Sequence, residues 1–224
     1  DQKFWQSRVK REKWLRKDSL PDRVSLAQFG KPARIMKVEV HEVFGWHIAA
    51  LACRRSHKSV GRMDSWSNDL GPNDKDLLLK LVRAGDDHAK AMRFVQIYMS
   101  VTAPRYWWQE MSTYRIGVES VSESTMHTLV QDVLESDDPY AMFTPNTPDD
   151  SIERVRFLIH SGADIEHVKA ALPEGFLQTR TMMINYQSMR RIYSQRKGHK
   201  LQEWQEFLDS VFRQIPHTEF IKQA

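Results

Sequence analysis

A chain of 224 residues, 41% hydrophobic and 28% charged, is long enough for one substantial core and has the composition of an ordinary soluble globular protein. No apolar run reaches the length of a membrane span and no charged-then-apolar leader opens the chain, so neither a membrane protein nor a secreted one is expected. The single cysteine, Cys53, excludes an internal disulfide and fits a reducing cytoplasm, where it reads as a small buried hydrophobe. The formal net charge of +4 is unevenly spread: Lys3, Arg8, Lys10, Arg11, Lys13, Arg16 and Lys17 crowd one end, and Arg190, Arg191, Arg196, Lys197 and Lys200 the other. Such patches attract polyanions or phosphorylated small molecules, and the mild overall charge favours the small molecules over a long nucleic-acid backbone.

In chain order, Phe4, Val9 and Trp14 recur at helical spacing among cations, which predicts an exposed basic helix over residues 3–17. Pro21 and Gly30-Lys31-Pro32 punctuate the next stretch, and residues 1–34 separate as a basic helical extension from a domain over 35–224. Alternation over residues 35–40 predicts a strand. Residues 46–55 read as an Ala-rich helix and residues 59–74 as a polar loop, with Asp74 capping a helix that runs to Arg83. Residues 94–101 are rich in strand formers, and Pro104 stops them. Residues 125–135 read as a helix and 139–148 as a loop with three prolines. Ser151 is expected to cap a helix that ends at Ser161-Gly162; a short helix covers 164–171, and Leu172-Pro173-Glu174-Gly175 makes a turn. A helical pattern fills most of 184–215, with Gly198 as a break. A few strands among many helices predict an α+β domain.

The densest chemistry lies between residues 105 and 127, RYWWQEMSTYRIGVESVSESTMH. Aromatics pack on rings, cations and hydroxyls hold phosphate, and carboxylates orient a sugar or base, so this mixture suits a flat, anionic, nucleotide-like ligand. The alternative is an aromatic anchor, Tyr106-Trp107-Trp108, followed by a Ser/Thr-rich loop. There is no glycine-rich phosphate loop, GxGxxG, HExxH, GxSxG or zinc-type Cys pair, and the nine histidines are scattered, so no metal site is expected.

The order of features resembles the flavin-dependent thymidylate synthases. The run Ala49-Ala50-Leu51-Ala52-Cys53-Arg54-Arg55-Ser56 is similar to that family's Ala-rich helix with its Arg-Ser pair, and Gly85-Asp86-Asp87-His88 stands where a Gly/His turn precedes a strand. Thr113-Tyr114-Arg115-Ile116 falls at the start of the family motif RHRxxSxNExSxRY, keeping only the second Arg, as Arg115. After a two-residue extension, Ser120-Val121-Ser122-Glu123-Ser124-Thr125-Met126-His127 resembles SxNExSxR, with Ser122 for Asn, Thr125 for Ser and His127 for Arg. Lys169 takes the place of an Arg before Leu172-Pro173. Asn185, Arg196, Lys200 and Gln202 fit the family's Asn and the Arg near a His/Gln pair, and the tail 215–220 is also similar. The resemblance covers residues 35–221.

The resemblance implies a small, mainly antiparallel sheet surrounded by helices, assembled as a homotetramer with active sites at subunit interfaces. The implied reaction is C5 methylation of a pyrimidine deoxynucleotide, dUMP to dTMP or a related modification. Its implied cofactors are FAD, methylenetetrahydrofolate and NADPH. Arg196 would activate the base, since a guanidinium that stays protonated stabilises negative charge developing on the ring. Glu110, Thr113, Ser120, Ser122, Glu123, Ser124, Thr125, His127 and Lys169 would bind substrate, with Lys169, Thr125 and His127 on the phosphate. His88, Thr113, Tyr114, Arg115, Glu123, Asn185, Gln187, Arg191 and Lys200 would approach flavin. Ser122 cannot supply Asn's paired donor and acceptor, so three readings stay open: a divergent thymidylate synthase, a sister enzyme acting on another pyrimidine such as a cytosine deoxynucleotide, or a catalytically altered nucleotide- or nucleic-acid-binding protein.

Overall fold

The computed structural model describes residues 36–222; the basic helix expected over residues 3–17 lies outside them. Alternation of side chains about extended backbone builds one sheet. Its strands are β1 (Lys37–Phe44), β2 (Gln96–Pro104), β3 (Val118–Ser122) and β4 (Leu177–Asn185), antiparallel throughout in the order β1-β2-β4-β3. In register, Val38 faces Val101, Met99 faces Met182, and Ile97 faces Ile184. These residues share one face because cross-strand partners point the same way. The opposite face is polar: His41 Nε2 lies 2.7 Å from Ser100 Oγ, Ser100 Oγ 3.3 Å from Thr181 Oγ1, and Thr102 Oγ1 3.0 Å from Thr179 Oγ1.

Helices cover the apolar face: α1 (Trp46–Ser56), α2 (Pro72–Arg83), α3 (Arg105–Met111), α7 (Tyr186–Arg196), α8 (Gln202–Gln214) and α9 (Glu219–Lys222). Trp107 is the hub, its ring 4.9 Å from Trp108, 4.8 Å from Trp204 and 5.1 Å from Phe207. Both Trp107 and Trp108 are buried, so the aromatic triplet is an anchor and not a ligand platform. A second apolar cluster joins α4 (Leu129–Glu135), α5 (Asp149–His160) and α6 (Ile165–Ala171) through Val133, Val155, Val168 and Phe176. Cys53 is buried, and burial pushes its thiol up to about 11, as an inert core residue requires. At the edge of the sheet, the side chain of Gln214 accepts from the Val40 N–H at 3.0 Å and donates to the Val38 carbonyl at 3.0 Å. The β1–β2 register slips at this point, between Val40 and Glu42.

Several expectations are corrected. Strand β3 lies in a segment expected to be a loop, and β4 takes residues 177–183, for which no element is expected, together with the first two residues of the expected helix. The sequence VESVS has no apolar alternation because β3 is an edge strand exposed over most of its length. Met182 and Ile184 are apolar because they face the core from β4, and their run merges in sequence with the apolar positions of α7. The helix expected over 184–215 is therefore two helices preceded by a strand, with the break at residues 197–201 around Gly198. The helix expected from Thr125 begins at Leu129, after a turn in which His127 and Thr128 donate to the Ser124 carbonyl. The strand expected over 94–101 is shifted to Gln96–Pro104, because Phe94 closes a 3-10 turn. Ser151 lies inside α5, whose N-cap is Pro148.

Asp74 is not the cap of α2. That helix starts at Pro72, and Asp64 reaches across to accept from Asn73 N at 2.9 Å and Asp74 N at 3.0 Å. Asp74 is instead fully buried, accepting from Arg54 Nε at 2.6 Å, Ser65 Oγ at 2.7 Å, Ser65 N at 3.0 Å and Asp64 N at 2.9 Å. Burial alone would raise its carboxyl, but the bonds from Ser65, Arg54 and Asp64 outweigh burial and hold it below the ordinary carboxylate range. A depressed folded value means that the stabilisation is present above the unfolded pKa of about 3.9 and is lost as pH falls through the folded value. Urea melts of the wild type should therefore show stability falling from pH 4 to pH 2. Asp74→Asn should cost about 3–5 kcal/mol at neutral pH, by leaving Arg54 half-buried without its partner, and should flatten that acid slope. An unchanged slope would remove Asp74 as its source.

Gly117 and Gly162 both have positive φ, +66° and +69°, but differ in surroundings. A Cβ on Gly117 would lie 1.8 Å from Asn185 Nδ2, whereas one on Gly162 would meet nothing. Gly162→Ala should cost only the backbone strain of about 1 kcal/mol. Gly117→Ala should lower the melting temperature by clearly more, since it also dislodges Asn185. Equal losses in thermal denaturation would sink this account.

Candidate active site

The site forms where β4 hands over to α7. Asn185, 5% exposed, ends the strand; its Oδ1 accepts from Ser188 N at 2.8 Å and so caps α7. Its own N–H donates to the Gly117 carbonyl at 3.1 Å, and Ser188 Oγ donates to the Ile116 carbonyl at 2.6 Å. The loop after α3 is thereby tied to the first turn of α7. Between them and residues 86–93 opens a cleft of about 700 Å³, lined by Asp86, Arg93, Thr113, Tyr114, Arg115, Ile116, Asn185, Gln187, Ser188, Arg191, Gln195 and Arg196.

Arg196 is the most firmly held cation of the cleft. Its Nη1 donates to Glu110 Oε2 at 2.7 Å and its Nε to the Tyr114 hydroxyl at 2.9 Å, while the guanidinium lies 4.7 Å from the Trp204 ring centroid. Glu110 Oε2 also accepts from Trp204 Nε1 at 2.8 Å, and His199 Nε2 stands 3.7 Å away. The Tyr114 hydroxyl passes on to Gln195 Oε1 at 2.9 Å. Nη2 has no protein partner among the described residues, so Arg196 is fixed in place with one donor edge left over.

Gln187 is engaged at both ends of its amide: its Oε1 accepts from Arg93 Nε at 2.8 Å and its Nε2 donates to the Asp86 carbonyl at 3.4 Å. The Asp86 carboxylate pairs with Arg190 Nη1 at 2.5 Å. Four guanidiniums, Arg93, Arg115, Arg191 and Arg196, thus share a cleft whose one carboxylate is already paired. With the Tyr114 ring and three side-chain amides, this donor set fits an aromatic, multiply anionic ligand. No group of three or more His, Cys, Asp or Glu among the described residues is placed to hold a metal ion, and none of their helices is long and apolar enough to cross a membrane.

The cleft gathers Thr113, Tyr114, Arg115, Asn185, Gln187, Arg191 and Arg196 from the sequence-derived set, and Glu110 supports it from behind. Ser120 lines a smaller hollow of about 280 Å³ that shares Tyr114 and Arg115 with the cleft. Ser122, Glu123, Ser124, Thr125 and His127 line neither. Glu123 accepts from Thr179 N at 3.1 Å and prolongs the β3–β4 pairing, while Ser122, Ser124 and His127 are exposed. Lys169 sits on α6, and His88 and Lys200 are exposed outside the cleft lining. Sequence reasoning missed Arg93, Gln195 and Arg180. Arg93 meets α7 only through the fold, and Arg180 reaches its core-facing position only through β4, a strand that the sequence pattern does not reveal.

Sequence comparison with family models matches residues 45–217 to the thymidylate synthase complementing protein family. A search of curated proteins finds no match. Among solved structures, the flavin-dependent thymidylate synthase ThyX of Helicobacter pylori, complexed with FAD and dUMP, superposes with a TM-score of 0.71 at 20% identity, covering 83% of this chain and 98% of its own. The UMP/dUMP methylase PolB of Streptomyces cacaoi, bound with 5-Br dUMP, superposes with a TM-score of 0.60 at 14% identity over 84% of this chain and 92% of its own. The match to the family model covers β2 to β4 and α1 to α8, leaving out only β1 and α9, and on it the chain is a distant member of the flavin-dependent thymidylate synthase family.

Proposed function

We propose that this chain catalyses flavin-dependent, folate-using C5 methylation of a pyrimidine deoxynucleotide, dUMP to dTMP or a closely related modification. The observation that carries the reading is the convergence of seven family-implied residues on one cation-rich cleft, around an arginine held from three sides. The solved relatives, named as acting on or binding uracil nucleotides, add weight to a pyrimidine substrate.

In this reading Arg196 presents Nη2 to the pyrimidine ring and stabilises negative charge as it builds on a ring oxygen. Glu110 is a positioning residue: its carboxylate holds the guanidinium and the Trp204 indole at fixed distances, so little reorganisation is needed during reaction. Tyr114, Arg115, Asn185 and Arg191 hold flavin, with Gln187 orienting Arg93 toward the same ligand; His88 and Lys200 flank this region. When bound, flavin supplies hydride, methylenetetrahydrofolate supplies the one-carbon unit and NADPH is the reductant. Ser120, Ser122, Glu123, Ser124, Thr125, His127 and Lys169 contact substrate, Thr125, His127 and Lys169 at its phosphate. The exposure of Ser122, Ser124 and His127 supports a site completed by a neighbouring copy in a homotetramer, acting in the cytoplasm.

The test is turnover by the full chain with FAD, NADPH, methylenetetrahydrofolate and either a uracil or a cytosine deoxynucleotide. Product is expected with one of them, and flavin should bind with a shifted visible spectrum. Absence of both flavin binding and product would overturn the proposal. Arg196→Ala should abolish product with unchanged far-ultraviolet circular dichroism; retained turnover would remove its assigned role.

Glu110→Gln should lower kcat by about ten- to a hundredfold, the worth of one charged hydrogen bond, with a smaller change in KM. A change confined to KM would argue for direct substrate contact by Glu110 instead.

A further inference from the structure

Arg180 breaks the pattern that organises the rest of the sheet. On β4 it stands in register between Val101 of β2 and Ser122 of β3, on the face that elsewhere carries Met99, Met182 and Ile184. Its guanidinium carbon lies 4.4 Å from the centroid of the buried Trp108 ring. Its hydrogen bonds all go to neutral oxygens and all are long: Nε and Nη2 reach Gln178 Oε1 at 3.3 and 3.2 Å, and Nη1 reaches Ser112 Oγ at 3.4 Å. No carboxylate pairs with it among the described residues, although Glu119 lines the same hollow. Burial draws the guanidinium below its ordinary value with no neighbouring charge to offset the effect. A half-buried cation without a counter-charge is costly to keep, and an incoming anion would relieve that cost.

The hollow beside it has the size and chemistry for such an anion. It is about 280 Å³, too small for a whole nucleotide or flavin, and it opens beside the main cleft through the shared Tyr114 and Arg115. Two guanidiniums, Arg115 and Arg180, and two hydroxyls, Ser112 and Ser120, surround it. Planar guanidiniums and hydroxyls around a small space match a phosphate monoester.

We propose that Arg180 binds the phosphate of the substrate nucleotide in this hollow, while the base lies in the cleft near Arg196. The assignment rests on the nucleotide reading above and adds a cation from the sheet itself. Thr125, His127 and Lys169 do not line the hollow, so Arg180 is the phosphate contact this copy supplies there, and those three reach the phosphate from the neighbouring copy that completes the site.

The test measures binding of dUMP, deoxyuridine and inorganic phosphate to the full chain with added FAD, for wild type, R180Q and R180K. R180Q should weaken dUMP about ten- to a hundredfold and leave deoxyuridine unchanged, and R180K should recover part of the loss. R180Q that binds dUMP like wild type, or loses dUMP and deoxyuridine alike, overturns the assignment. Wild type that binds phosphate in an Arg180-dependent way but not dUMP would keep the anion site and overturn the nucleotide reading; binding neither would overturn both. Should R180Q fail to fold, S120V at the exposed edge strand makes the same comparison, with a smaller loss confined to dUMP expected and equal affinities overturning the site.

Discussion

The junction at Asn185 holds the molecule's working parts together. One residue ends the strand beside the centre of the sheet, caps the helix that carries Arg191 and Arg196, and fastens the loop that carries Tyr114 and Arg115. Each of its bonds is ordinary in strength. Their combination matters because strand, helix and loop are joined at one point, which the bonds from Ser188 Oγ to the Ile116 carbonyl and from Arg196 Nε to Tyr114 reinforce. The left-handed Gly117 is what lets the loop backbone approach the Asn185 amide so closely. Cleft geometry is therefore set largely by backbone conformation at two residues, one of which, Asn185, also lines the cleft.

Charge placement follows a similar economy. The family's motif concentrates cations in one loop, whereas here the loop keeps Arg115 and fills neighbouring positions with Thr113 and Tyr114. The cations of the cleft come instead from several elements: Arg93 from a 3-10 turn, and Arg191 and Arg196 from α7. Tyr114 does more than replace a charge. Its hydroxyl and ring both engage Arg196, and Trp204 covers the same guanidinium, so the arginine is held by aromatic faces as well as by Glu110. A guanidinium confined in this way reaches a ligand with its orientation already decided.

Much of this was legible in the sequence, though not evenly. The helices with strong apolar periodicity, α1, α2 and α5, lie close to where spacing puts them. Strand β3 was invisible because an exposed edge strand needs no apolar alternation, and β4 because its apolar face runs without interruption into a helix. The cap of α2 was misread for a similar reason. Asp74 stands at a capping distance in sequence, but the loop folds back and puts Asp64 there, leaving Asp74 to a buried network that depends on Arg54 and Ser65. For the candidate site, the collinear residues on α7 and the loop after α3 could be placed by order alone. Arg93 and Arg180 could not, because their positions depend on which elements meet.

The edge of β1 carries a consequence of its own. Gln214 occupies a donor and an acceptor of that strand, at the point where the register with β2 slips. An unpaired strand edge is a template on which another chain can add its own strand. A side-chain amide fixed there, beside a break in register, removes the regular ladder that such an addition needs. The sheet is thus closed to growth at one side by a single glutamine from α8, and the other side is the short, hydroxyl-rich β3. Association between copies is thereby turned away from strand addition at this edge and toward other surfaces of the fold.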